Sequence, residues 1–244
     1  MNGFEINLLG PSSKASLLAW SKGEDAEPVT KLSLTNGAAM RIAPVGCLVP
    51  AAEHEMLAET VARVSRVTHS TDVAISGAAM VAQAVASAVA GRSWAEIRAD
   101  VAAIHPIALA KGEPTWAASV LSRLEAFEAL LATLGDEPSE EEVSLMIYRA
   151  IGTGTMTSES VAAALAVAFW CADPWDAAVM CANMGGDTDT MGAMACSICG
   201  AKVGLSAMPE DVVRRLEETN GLDFRALAQK IVDARSAFKL ESIR

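Results

Sequence analysis

Aromatic side chains are scarce in this chain: Phe, Trp and Tyr make up 5% of its 244 residues, and tyrosine occurs once. Basic residues are scarce too, with 19 Lys and Arg against 30 Asp and Glu and a net charge of -11. That balance excludes nucleic acid as the main partner, because phosphate backbones are gripped through a Lys/Arg footprint. It also excludes docking on an anionic membrane surface. The opening residues show no basic stretch followed by an apolar run, so they do not read as a secretory signal. Alternating, β-branched runs are absent, which argues against a sheet. The five cysteines (Cys47, Cys171, Cys181, Cys196, Cys199) are an odd number. They fit free thiols in a reducing cytoplasm better than a disulfide framework.

Ala, Val, Leu and Met are abundant instead, and hydrophobic residues reach 52%. This is too apolar for disorder and favours helices. Nothing reads as a linker or a repeat, so residues 1–244 are expected to form a single all-α domain of about ten helices. Helical spacing predicts segments near 12–21, 51–67, 73–91, 94–110 (interrupted at Pro106), 114–134, 139–152, 158–171, 175–183, 188–203, 210–218 and 224–238. The Val73–Gly91 stretch is long enough to span a bilayer, but Ser76, Gln83 and Ser87 interrupt it and alanine inserts weakly. It is expected to be a core helix, and no membrane partner is expected. Cys196 and Cys199 form an isolated CxxC among small apolar residues and read as core thiols.

Chemistry concentrates in the loops. Met184-Gly185-Gly186-Asp187-Thr188-Asp189-Thr190 puts two carboxylates and a hydroxyl on the first turn of a helix, behind a glycine pair that permits a tight bend. Such hard oxygens suit Mg²⁺, Mn²⁺ or Ca²⁺ rather than zinc. The plainer alternative is that Asp187 only caps the helix and Asp189 favours its dipole. Thr35-Asn36-Gly37-Ala38-Ala39-Met40-Arg41 is a small-residue loop whose backbone N–H groups could cradle a phosphate. Within it, Arg41 could pair with phosphate, with a structural salt bridge as the favoured role. Gly152-Thr153-Gly154 is a similar turn. His69 sits beside polar loop residues at a helix start and is a candidate either for a pocket hydrogen bond or for a satisfied core position.

GGDTDTMGAM resembles the C-terminal metal motif of the ADP-ribosylglycohydrolases, and TNGAAMRIAPVG resembles that family's central substrate loop. Further matches follow in the family's order: Gly10-Pro11-Ser12-Ser13, Thr68-His69, Gly152-Thr153-Gly154 with Glu159-Ser160-Val161, and Asp173-Pro174-Trp175. The resemblance implies an all-α, orthogonal multi-helix domain with a binuclear Mg²⁺ cleft that hydrolyses the bond between ADP-ribose and a modified side chain, often arginine. It implies Asp187, Asp189 and Thr190 as metal ligands. It also implies Asn36, Gly37, Ala38, Met40, His69, Gly152, Thr153, Gly154 and Gly186 as substrate contacts.

The family's opening Gly-Asp helix and its Thr-Asp-Asp-Thr motif, which carry the other ligands and the acidic catalytic residues, have no match here, and the chain contains no Asp-Asp pair. The opening segment therefore reads as missing, and no catalytic residue is assigned. One Mg²⁺ or none is expected, with Mn²⁺ as a substitute, and little activity from this chain alone. Glu159 or Asp72 could substitute for the missing ligands, although nothing in their spacing points them at the site. The expected partners are ADP-ribose or an ADP-ribosylated protein, together with a second copy of the chain or a complementary N-terminal fragment. The last expectation rests on the all-round apolarity of Val73–Gly91 and Ser160–Cys171.

Overall fold

A computed structural model describes residues 9–135 and 137–241. Among these residues the structure is helical, with thirteen α-helices and no strands. They run in order α1 (Pro11–Ser21), α2 (Glu27–Thr30), α3 (Ala43–Leu48), α4 (His54–Ser65), α5 (Asp72–Val89), α6 (Trp94–Leu109), α7 (Val120–Leu131), α8 (Glu140–Met146), α9 (Thr157–Cys171), α10 (Pro174–Met184), α11 (Thr188–Val203), α12 (Glu210–Asn220) and α13 (Phe224–Glu241). A turn of 3₁₀ helix covers Ala39–Arg41, and a π-helical turn, Ile147–Ile151, extends α8.

Helix α5 is the axis of the molecule. Every residue from Val73 to Ala88 is buried, and α3, α4, α6, α9 and α11 pack around it. Small residues make this possible. A Cβ on Gly46 of α3 would stand 2.3 Å from the Ala82 carbonyl oxygen, and one on Gly77 would stand 2.4 Å from Thr157 Cγ2 on α9. Helix α5 is the one described helix long and apolar enough to cross a membrane, and it is enclosed by its own chain. Helix α9 is enclosed in the same way. The apolarity that suggested an external partner is thus satisfied internally by neighbouring helices.

Several boundaries differ from the sequence expectations, each for a local reason. Helix α1 starts at Pro11 with Gly10 as its uncapped N-cap, not at Ser12 or Ser13, since proline's fixed φ suits the first helical position. Helix α6 runs through Pro106, which lies on its exposed face near the end, where the carbonyl left without an N–H can reach water. Helix α7 begins only at Val120. The Asp72 carboxylate draws Thr115 out of helical geometry by accepting from its N–H (3.0 Å) and hydroxyl (2.6 Å). The short helices α2 and α3 had no usable periodic signal.

Candidate functional site

Gly185 and Gly186 both have φ +84, and a Cβ on Gly186 would stand 2.3 Å from Thr153 O and Oγ1. The glycine pair therefore lets the chain before α11 lie directly on the Gly152-Thr153-Gly154 turn, where Asp187 N–H donates to the Thr153 carbonyl (2.7 Å). Asp187 is the N-cap of α11 by position, but its side chain accepts no capping hydrogen bond. Its Oδ2 accepts instead from Asn36 Nδ2 at 2.5 Å. The capping alternative for Asp187 is therefore overturned. Asp189 is exposed on the first turn of α11, and Thr190 is buried.

The second loop is fastened to the same turn. Asn36 N–H donates to the Thr155 carbonyl (3.0 Å), while Thr157 donates both its N–H and its hydroxyl to the Leu34 carbonyl (2.9 Å each). Thr35 and Met156 thus form an isolated antiparallel bridge. The Asn36 amide, 6% exposed, donates to Ser160 Oγ (2.8 Å) as well as to Asp187. One buried side chain therefore ties the small-residue loop, α9 and the start of α11 together.

His69 lies beneath this loop and is 1% exposed. Its Nε2 is 3.0 Å from Thr35 Oγ1 and its Nδ1 is 2.7 Å from Thr68 Oγ1. A Cβ on Gly37 would stand 2.8 Å from His69 Cε1, so the imidazole fills the space a side chain at 37 would need. Burial first, and the nearby Arg41 charge second, hold its pKa down to about 4, so the ring is neutral at physiological pH. Arg41 makes no salt bridge among the described residues, contrary to expectation. Its guanidinium donates to Thr68 Oγ1 (2.7 Å), and burial lowers its pKa.

The Gly152–Gly154 turn is braced from below. Glu159 Oε2 accepts from Gly154 N–H (3.0 Å), and Arg123 lies 3.7 Å from Glu159 Oε1 and donates to the Ile151 carbonyl (2.6 Å). Glu159 is committed to the turn and Asp72 to Thr115, so neither replaces a metal ligand.

Of the nine expected substrate contacts, Met40 and Gly186 are exposed and Gly152 and Gly154 half-buried. Asn36, Gly37, Ala38, His69 and Thr153 are buried and support the site from within. Sequence reasoning gave no role to Ser160, Thr68, Thr35 or Arg123. Thr68 and Ser160 stood inside motifs already singled out, whereas Arg123 carried no signal. A cavity of about 320 Å³ lined by Glu141, Ser144, Tyr148, Asn183 and Met184 adjoins Gly185.

Two carboxylates and a hydroxyl at the head of α11 suit one hard cation completed by water, because Mg²⁺ commonly takes one or two carboxylates and keeps several waters. Among the described residues no three His, Cys, Asp or Glu side chains stand together as a metal-binding group. The CxxC thiols are core groups: Cys199 is buried, Cys196 half-buried, and burial raises the pKa of both.

Residues 2–239 match the model of a family described as ADP-ribosylglycohydrolase. The chain is 39% identical over 235 residues to a protein of Escherichia coli (strain K12) named "Uncharacterized protein YegU", covering 96% of this chain and 70% of that protein. It is 30% identical over 229 residues to an uncharacterized protein of Archaeoglobus fulgidus, covering 92% of this chain and 67% of that one.

Proposed function

The chain belongs to the ADP-ribosylglycohydrolase family, whose members are metal-dependent hydrolases of ADP-ribose linkages, and from that premise we propose a specific division of labour in its site. The Asn36–Met40 loop and the Gly152–Gly154 turn hold ADP-ribose. Asp187, Asp189 and Thr190 hold one Mg²⁺, for which Mn²⁺ can substitute. The substrate is an ADP-ribosylated protein carrying the nucleotide on arginine. Water adds to the anomeric carbon as the glycosidic C–N bond breaks, and the departing guanidine takes the proton. Bound Mg²⁺ supplies polarisation of ribose hydroxyls and a seat for an oriented water. This chain's own residues supply placement: Asn36 fixes the rotamer of Asp187, and Thr153 and Glu159 fix the turn opposite. The five free thiols fit a reducing, cytoplasmic setting.

One observation carries this reading: Asn36 and Asp187, 151 residues apart, share a 2.5 Å hydrogen bond that joins the loop to the carboxylate pair. A second reading, ADP-ribose binding without turnover, is favoured by the absence of a third clustered carboxylate among the described residues.

Hydrolysis of ADP-ribosyl-arginine with added Mg²⁺, beside calorimetric titration with ADP-ribose, separates the two. Binding with turnover supports the hydrolase, and binding without turnover supports the second reading. No binding by the intact chain overturns both.

A further inference from the structure

Four polar side chains under the substrate loop form an unbranched chain of contacts, and burial fixes the direction of every proton in it. Arg41 comes first. A guanidinium has only donors, so at its 2.7 Å contact with Thr68 Oγ1 the hydroxyl oxygen must accept. Thr68 is 1% exposed, and its one remaining neighbour for a hydrogen bond among the described residues is His69 Nδ1, at 2.7 Å. A buried hydroxyl proton with no acceptor costs about 1–3 kcal/mol, so the Thr68 proton goes to Nδ1. Nδ1 is then the bare nitrogen, and in a neutral imidazole the proton sits on Nε2. The ring is neutral because burial and Arg41 together oppose a second charge. Nε2–H in turn donates to Thr35 Oγ1 at 3.0 Å. The Thr35 hydroxyl accepts there, and its own hydrogen has no acceptor among the described residues. Thr35 is half-buried at the rim of the loop, next to Asn36 and Gly37.

We propose that Thr35 Oγ–H is a directed hydrogen-bond donor to an acceptor oxygen of the bound ligand, with Arg41, Thr68 and His69 as positioning residues that set its polarity. Resting on the reading above, that oxygen belongs to the diphosphate of ADP-ribose. The arrangement favours an acceptor oxygen of the ligand at this point, since the Thr35 hydrogen is the one hydroxyl hydrogen of the network left without an acceptor among the described residues. It also gives the Arg41 charge a route to the ligand without direct contact. Each bond in a chain of this kind polarises the next.

Two measurements test it on the full chain. The first needs no ligand: long-range ¹⁵N–¹H NMR of the imidazole should show His69 protonated on Nε2 and bare on Nδ1. Arg41→Met, which frees Thr68 to turn, should shift those resonances toward a mixture of tautomers. The second is titration with ADP-ribose. Thr35→Val keeps the shape but removes the donor and should weaken binding roughly tenfold or more, as expected for a hydrogen bond to a charged group. Thr35→Ser should restore most of the affinity, while Thr35→Val should leave the denaturant midpoint far less changed than the affinity, a split that a merely structural role for Thr35 would not predict. An Nδ1–H tautomer, or Thr35→Val binding as tightly as the unmodified chain, overturns the proposal. If the unmodified chain binds no ADP-ribose, the proposed function falls and the tautomer alone decides. Nε2–H then upholds the proton order, and Nδ1–H overturns it.

Discussion

Around Thr35–Arg41 nearly every polar side chain has a partner within the chain: Thr35, Asn36 and Arg41 are each hydrogen-bonded, with Thr68 and His69 closing the network beneath them. At the head of α11 the situation reverses. Asp187 has one oxygen engaged, and Asp189 projects into solvent with no hydrogen bond among the described residues. The first region is organised before any ligand arrives, so it spends little binding energy on ordering. In the second, on the proposed reading, a bound cation would bring the carboxylates into one geometry. The proposed nucleotide loop and the proposed metal ligands should therefore respond separately to mutation.

The harshest way to break the comparison is at the seam between the two regions. Gly186→Val places a side chain where φ is +84 and drives its Cβ onto Thr153 at 2.3 Å. Backbone strain and overpacking together should cost about 3 kcal/mol or more, read as a lowered denaturant midpoint, and ADP-ribose binding should vanish. Gly185→Ala is the control: it shares φ +84 but would meet only Tyr148 Cε2 at 3.7 Å, so it should cost clearly less.

Asn36→Ala comes next. It removes the amide that joins Asp187 to Ser160 and should cost about 1–3 kcal/mol. Asn36→Asp should be worse, because it sets a second negative charge against Asp187. Millimolar Mg²⁺ should narrow the gap between these two variants, as measured by thermal unfolding.

Protonation of His69 provides a gentler perturbation. Its pKa is about 4 in the folded chain against an ordinary 6.5, so between those values the unfolded state takes up a proton that the folded state refuses. The contribution is therefore intact above pH 6.5 and falls away as pH drops toward 4, by about 3 kcal/mol at most. His105, which burial also holds low, adds with the same sign. His69→Gln should flatten the stability profile over that range in urea titrations, leaving the smaller slope due to His105.

The smallest effect belongs to the cysteine pair. Cys196→Ala with Cys199→Ala removes core thiols whose hydrogen bonds among the described residues go to main-chain carbonyls on α9 and at Pro174. The double variant should leave the ADP-ribose dissociation constant unchanged within calorimetric error.

The long helices were legible because α4, α5, α9 and α11 carry apolar periodicity or composition that burial then rewards. Boundaries failed where a single side chain outweighed propensity, as when Asp72 captured Thr115. The motif positions were legible as clusters of small and acidic residues, but their internal roles were not. The bond from the Asn36 amide to Asp187 was not legible, because the partner lies too far along the chain for any spacing rule to reach. Gly37 looked like a position left bare for a diphosphate, but the imidazole of His69 occupies that volume. Arg41 lost its expected carboxylate to a hydroxyl because no acidic side chain reaches it among the described residues.

Helices α12 and α13 lie apart from all of this. No residue of α12 is fully buried, nor is any from Phe224 to Phe238 of α13. Helix α13 is fastened to the body chiefly at α3, through Arg235 donating to the Cys47 carbonyl (2.6 Å) and through Phe238. A helix attached by so little apolar surface opens at a lower free energy than the core it rests on. Its amides should therefore exchange with solvent deuterium well before those of α5, in a sub-global step that leaves the loop at residues 35–41 folded. Clipping by a protease in the 221–223 turn should follow the same step, releasing the C-terminal helix while the site remains folded.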